Sequence, residues 1–139
     1  MAEKPIDLLA SVPLFAECTK KELGHIASAI KEVKHNDGDI LAREGDKGIG
    51  FFVIAEGTAK VVIGNSTRRR LGPGDFFGEI SLLDEGPRSA TVVAETPVRL
   101  YGLTAWNFRR LVAQNPSIAQ KLLKVMADRL RKTSKDPTH

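Results

Sequence analysis

The sequence predicts a mainly β fold of the α+β class: an eight-stranded antiparallel β-roll, or jelly roll, with N-terminal helices in front and two C-terminal helices behind. Three observations predict it. Between Val33 and Leu103 a glycine or proline recurs every few residues, at Gly38, Gly45, Gly48, Gly57, Gly64, Gly72, Pro73, Gly74, Gly78, Gly86 and Pro87. The runs between these breaks, DILAREG, GFFVIAEG, TAKVVIG, ATVVAE and VRLYGL, are short and rich in Val, Ile and Phe, as in a sandwich or barrel of short strands. On either side of that region the apolar residues fall at helical spacing instead.

From the front, Ile6 to Leu9 can form a short helical piece, ended by VPLF. Thr19 with Glu22 three residues on makes a capping box, each side chain satisfying a backbone N–H that a first helical turn leaves free. Leu23, Ile26, Ala27 and Ile30 follow on one face, so a helix is expected from Thr19 to Lys31. GFFVIA is apolar at successive positions, the mark of a strand covered on both faces. GNST, Gly64 to Thr67, reads as a hairpin turn. Thr104 can cap a helix carrying Phe108, Leu111 and Val112. Asn115-Pro116 breaks that helix and starts another, with Asn115 as N-cap and Pro116 at the first helical position. Ile118, Leu122, Val125, Met126 and Leu130 then form one apolar stripe through to Lys132. The whole chain, 1–139, reads as one domain: a helical lead-in 1–32, a roll 33–103, closing helices 104–132 and a polar tail 133–139 expected to fray.

Composition narrows the function classes. With 139 residues the chain can bury roughly two thirds of its unfolded surface, enough for a real core. Cys18 is the one cysteine, so no internal disulfide can form, and a half-buried apolar role suits it. The longest apolar run, near Ile49 to Ala55, falls far short of the roughly 20 residues that span a bilayer. MAEKPIDLL lacks the basic flank and apolar stretch of a signal peptide, so a cytoplasmic protein is expected. The net charge of +4 permits an anionic partner, but much of the excess sits in Arg68 to Arg70 and in DRLRKTSK, which read as a solvated strand face and a helix end. The three histidines, His25, His35 and His139, are scattered, and neither a Gly-x-Ser-x-Gly motif nor a phosphate loop ending in Lys-Ser/Thr is present. No catalytic residue, metal site or resident cofactor is expected, and an enzyme is the weaker class.

FGEISLLDEGPRSATV, Phe77 to Val92, does not fit a plain core strand. Gly78 lets a ligand approach the backbone, and Ile80 to Leu83 has the length of one helical turn, whose free N–H groups suit an anion. Arg88, set after a Gly-Pro turn, has a guanidinium fork suited to two phosphate oxygens. Glu79 can only accept, which suits a sugar hydroxyl, and Ser89 can add one hydroxyl contact. Leu82, Leu83, Ala90 and Val92 are expected as walls. Together these describe a nucleotide held by its ribose and phosphate.

LGPGDFFGEISLLDEGPRSATV resembles the phosphate-binding cassette of cyclic nucleotide-binding domains, and the resemblance extends over nearly the whole chain. It implies a ligand site of Phe77, Gly78, Glu79, Ile80, Ser81, Arg88, Ser89 and Ala90. In that site Glu79 would accept from the ribose 2′-hydroxyl and Arg88 would pair with the cyclic phosphate. Gly78, Ile80, Ser81 and Ser89 would add backbone or hydroxyl hydrogen bonds. The last helix would act as a lid over the base, with Met126, Arg129 and Leu130 as its contact residues. The implied function is a regulatory module that binds cAMP, with cGMP as the other candidate, and signals by moving its last helix to an unidentified effector protein. Such a module would be a monomer or weak homodimer. The same sensor occurs in channels, in kinase regulatory chains and in catabolite-activator-type regulators. The last of these need a DNA-binding domain of some tens of residues, and the chain ends nine residues past Leu130, so no direct nucleic-acid contact is expected.

Overall fold

The computed structural model describes residues 5–47, 50–84 and 86–134, with the side chains of residues 79, 80, 133 and 134 outside the described set. Helix α1 (Pro5–Ala10), a 3-10 turn (Pro13–Phe15) and α2 (Lys20–Ser28) lead in. Eight strands follow among the described residues: β1 (Lys31–His35), β2 (Ile40–Ala42), β3 (Gly50–Glu56), β4 (Ala59–Ile63), β5 (Ser66–Leu71), β6 (Phe76–Phe77), β7 (Thr91–Ala94) and β8 (Val98–Thr104). A second 3-10 turn, Glu79–Leu82, lies between β6 and β7, and α3 (Ala105–Gln114) and α4 (Pro116–Ser134) end the chain. The strands form two antiparallel sheets, in the orders β1-β8-β3-β6 and β2-β7-β4-β5. This is the mainly β roll with flanking helices that the sequence predicts. No helix among the described residues is long and apolar enough to cross a membrane.

Strand β3 shows why GFFVIA has no polar face. Phe51 and Val53 join Leu9, Leu14, Phe15, Ile26, Phe108 and Ile118 in a core between the first sheet and the helices. Ile54 faces the other way, into the roll with Ala59, Leu71, Val92 and Leu100. The Phe15 and Phe51 rings meet edge to face at 5.7 Å, and such a pair adds to the stabilisation from burial. The β4–β5 hairpin turns at Gly64-Asn65, with Gly64 at φ 60°, as a two-residue hairpin turn demands.

One helix boundary and one side-chain cap differ from expectation. α2 stops at Ser28 rather than Lys31, because Lys31 pairs with Gly102 and begins the β1–β8 ladder. Ile30 still packs on the helical core after leaving the helix. Asn115 precedes Pro116 at the start of α4 as expected, and its carbonyl accepts from Ile118 N at 3.0 Å, but its side chain turns backwards: Nδ2 donates to Leu111 O at 3.0 Å, closing the end of α3.

Glu22 does more than cap α2. It is 7% exposed. Its Oε1 accepts from Thr19 N at 2.8 Å and from Lys121 Nζ, while Oε2 accepts from Ser117 Oγ at 2.5 Å. α4 is thereby tied to the lead-in, and Lys124 adds a second tie to Glu17 at 2.7 Å. The Lys121 ammonium above all, then the Ser117 hydroxyl and the Thr19 N–H, hold the Glu22 carboxyl down at about 2. A carboxyl depressed on folding adds stability above its unfolded value of 4.5, and that stability is lost as pH falls toward the folded value. Glu22→Gln is therefore expected to lower the melting temperature at neutral pH and to flatten its decline between pH 4.5 and about 2. Parallel melting curves for wild type and variant across that window would refute the tie.

Candidate functional site

The roll opens beside the segment that the sequence singles out. Phe77, at the end of β6, pairs in register with Phe52 of β3, and the two rings stack at 5.3 Å. The chain then turns through Gly78, whose φ is 81°. A Cβ at this position would fall well inside van der Waals contact of Gly50 O and 2.8 Å from Arg88 Nη1. Only a residue without a side chain can pass there in this conformation.

Arg88 is fixed from several sides. Its backbone N–H donates to Asp46 O at 2.8 Å, its carbonyl accepts from Gly45 N at 2.9 Å, and Pro87 bridges to Lys47. Its Nη2 donates to Gly50 O at 2.9 Å. Burial pushes the guanidinium pKa down, with no carboxylate among the described residues acting against it. A half-buried cation braced by a carbonyl carries a desolvation cost, and an anion at its open edge would offset that cost.

A cavity of about 280 Å³ lies beside it, lined among the described residues by Phe77, Gly78, Ser81, Arg88, Ser89 and Ala90, together with Ala42, Val61, Arg69, Leu71, Phe76 and Val92. Six of the eight ligand-site residues named from the sequence, and the expected wall residue Val92, thus share one cavity. Ser81 is buried, and its N–H is used within the turn, donating to Gly78 O at 3.0 Å. The backbones of Glu79 and Ile80 begin the 3-10 turn, and their side chains lie outside the described residues.

Other expected positions are elsewhere. Leu82 and Leu83 do not wall this cavity. Leu82 is 3% exposed and anchors the turn in the helical core, while Leu83 is 46% exposed. The three lid residues are not among those lining the cavity. Met126 packs against the helical core, Arg129 Nη1 lies 3.9 Å from Met126 Sδ, and Leu130 is 66% exposed. Ala42, Val61, Arg69, Leu71 and Phe76 are lining residues that the sequence reading missed. The signal for two of them was strand alternation, since Leu71 and Arg69 are two apart and pair with Ala59 and Val61.

Known proteins resemble this chain in sequence and in fold. The chain is 34% identical over 117 residues to the cAMP-dependent protein kinase regulatory subunit of Colletotrichum orbiculare, a match over 83% of this chain and 30% of that protein. It is 34% identical to the human potassium/sodium hyperpolarization-activated cyclic nucleotide-gated channel 1, over 92% of this chain and 14% of the channel. The crystal structure of the N-terminal domain of a transcriptional regulator from Streptomyces coelicolor superposes with a TM-score of 0.88 at 34% identity, covering 94% of this chain and 96% of that one. The chain spans less than a third of the length of these two curated relatives. Residues 32–115 match the family model of the cyclic nucleotide-binding domain. On the fold, the cassette segment and this match, the chain belongs to the cyclic nucleotide-binding domain family.

Proposed function

We propose that this domain is a sensor that binds a purine 3′,5′-cyclic monophosphate in the Arg88 cavity and reports occupancy through α4. The observation that carries the reading is Arg88 itself, a half-buried cation braced by Gly50 O with its other nitrogens available to a phosphate. In this reading the cyclic phosphate pairs with Arg88, Glu79 accepts from the ribose 2′-hydroxyl, and Gly78, Ile80, Ser81 and Ser89 supply the remaining hydrogen bonds. Phe77, Ala90 and Val92 form apolar walls. cAMP, which the sequence favours, and cGMP offer these groups equally, so the choice between them falls to residues that meet the base.

The output is movement of α4. Its first half is fastened, with Ile118 and Leu122 buried and Ser117 and Lys121 held by Glu22. Its second half carries Met126, Arg129 and Leu130, which can reach a bound base only if α4 shifts. A ligand shifts the helix by its differential affinity for the two positions and by no more than that. The domain then passes the change to an effector protein or to a neighbouring domain.

Calorimetry and thermal unfolding with cAMP, cGMP and 5′-AMP test this. A cyclic nucleotide at 100 times its dissociation constant should stabilise the fold by about 2.7 kcal/mol. 5′-AMP, with a doubly charged open phosphate, should bind more weakly. Hydrogen exchange along α4 should change on saturation; identical exchange with and without ligand would reject the helix as output.

A further inference from the structure

We infer that Arg69 reads the purine edge and makes this site prefer guanine over adenine. The inference rests on the cyclic-nucleotide reading and reverses the cAMP preference that the sequence favours. Of the three consecutive arginines on β5, strand alternation sends one into the roll. Ala59 pairs with Leu71, Lys60 with Arg70 and Val61 with Arg69. Ala59 and Leu71 are buried inside the roll, so Arg69, two residues from Leu71, shares their face and lines the cavity. Arg70 faces away and pairs with Glu95 at 3.1 Å. The register shift between Val61 and Val62 leaves Arg68 as the extra residue of a bulge.

Arg69 and Arg88 reach the cavity from different walls. Val92 of β7 pairs with Val61 of β4, which pairs with Arg69 of β5. Two strand spacings of about 4.8 Å put the Arg69 backbone about 10 Å from that of Val92. Arg88 stands just before β7, on the cassette side. Val61, Leu71, Ala42 and Val92 supply apolar surface to the same cavity. A nucleotide with its phosphate on Arg88 and its base over that surface directs the base edge toward Arg69.

Guanine presents O6 and N7 as adjacent acceptors, which match two N–H groups of a guanidinium fork. Adenine presents an amino donor beside N7, and a donor facing a donor gains nothing. Because Arg69 is exposed at the rim, the discrimination belongs at the low end for a bidentate pair, about tenfold.

The test titrates cAMP, cGMP and cIMP into the wild type, Arg69→Leu and Arg69→Lys. cIMP keeps O6 and N7 but lacks the 2-amino group, so it separates Arg69 from any contact of Ser89 with that group. The wild type should bind cGMP and cIMP about tenfold tighter than cAMP. In Arg69→Leu both ratios should fall to about one, and Arg69→Lys, which lacks the fork, should restore them only in part. Equal or tighter binding of cAMP in the wild type overturns the inference, as do ratios that survive Arg69→Leu. So does cIMP behaving like cAMP, which would place recognition on the 2-amino group. Failure of all three nucleotides to bind would overturn the cyclic-nucleotide reading as well, whereas cAMP binding without guanine preference removes only the role of Arg69.

Discussion

Arg88→Ala is expected to weaken cyclic nucleotide binding by about 2–5 kcal/mol and to change the stability of the ligand-free fold by less than that. The two halves of that result have separate causes. In the complex the guanidinium would neutralise a phosphate inside a partly enclosed cavity, and its loss strands that charge. In the free protein the same guanidinium is half-buried, and burial alone pushes its pKa down, so the fold carries an unfavourable term for holding it there. Deleting the side chain removes that term. The loss on the other side is one hydrogen bond from a charged donor, from Nη2 to Gly50 O at 2.9 Å, worth about 1.5–3 kcal/mol, so the two effects partly offset each other. Arg88→Lys should fall between the two, because a point charge cannot keep the Gly50 carbonyl and address two phosphate oxygens at once. Calorimetry with cAMP and cGMP, paired with thermal unfolding without ligand, reads both halves. Unchanged affinity would end the assignment of Arg88, and lost affinity with a collapsed melting temperature would make Arg88 a structural residue instead.

The strands were legible in the sequence because their turns are chemical: glycines and prolines mark nearly every break, and residue types between them match the pleat. The lead-in helix was legible from Thr19 and Glu22, whose box forms as the spacing requires. Its end was not, because Ala29 and Ile30 are as suited to a helix as to a connection, and the β1–β8 ladder decides. Asn115 was misread for a related reason. A short amide side chain can satisfy either helix that flanks it, and only the fold shows that it bonds back to Leu111. In the cassette, Gly78 and Arg88 were readable from spacing, and the structure brings both to the cavity. The apolar residues were not, since Leu82 and Leu83 look alike in sequence, yet one is buried beneath the turn and the other faces solvent. Arg69 was hidden by its neighbours, because a run of three arginines suggests a solvated face until the β4–β5 register separates them.

Gly78→Ala is expected to cost about 3 kcal/mol of stability and to weaken nucleotide binding although Arg88 remains. The cost has two sources of comparable size. A φ of 81° is a left-handed conformation that charges an alanine about 1–2 kcal/mol. The added methyl also overlaps Gly50 O and comes to 2.8 Å from Arg88 Nη1, so the β3 start or the arginine must move. Either movement disturbs the bond from Arg88 to Gly50 O that aims the guanidinium. Gly74→Ala separates the two sources. Gly74 has a φ of 89° and nothing within 4 Å of a Cβ, so it should lose only the conformational part, about 1–2 kcal/mol, with binding intact. Urea unfolding of both variants, with calorimetry on each, gives the comparison. Equal stability losses and unchanged affinity would mean that Gly78 serves the turn alone. A larger loss in Gly78→Ala together with weakened binding would show that the close approach of Gly78 to Gly50 and Arg88 holds the arginine in its binding position.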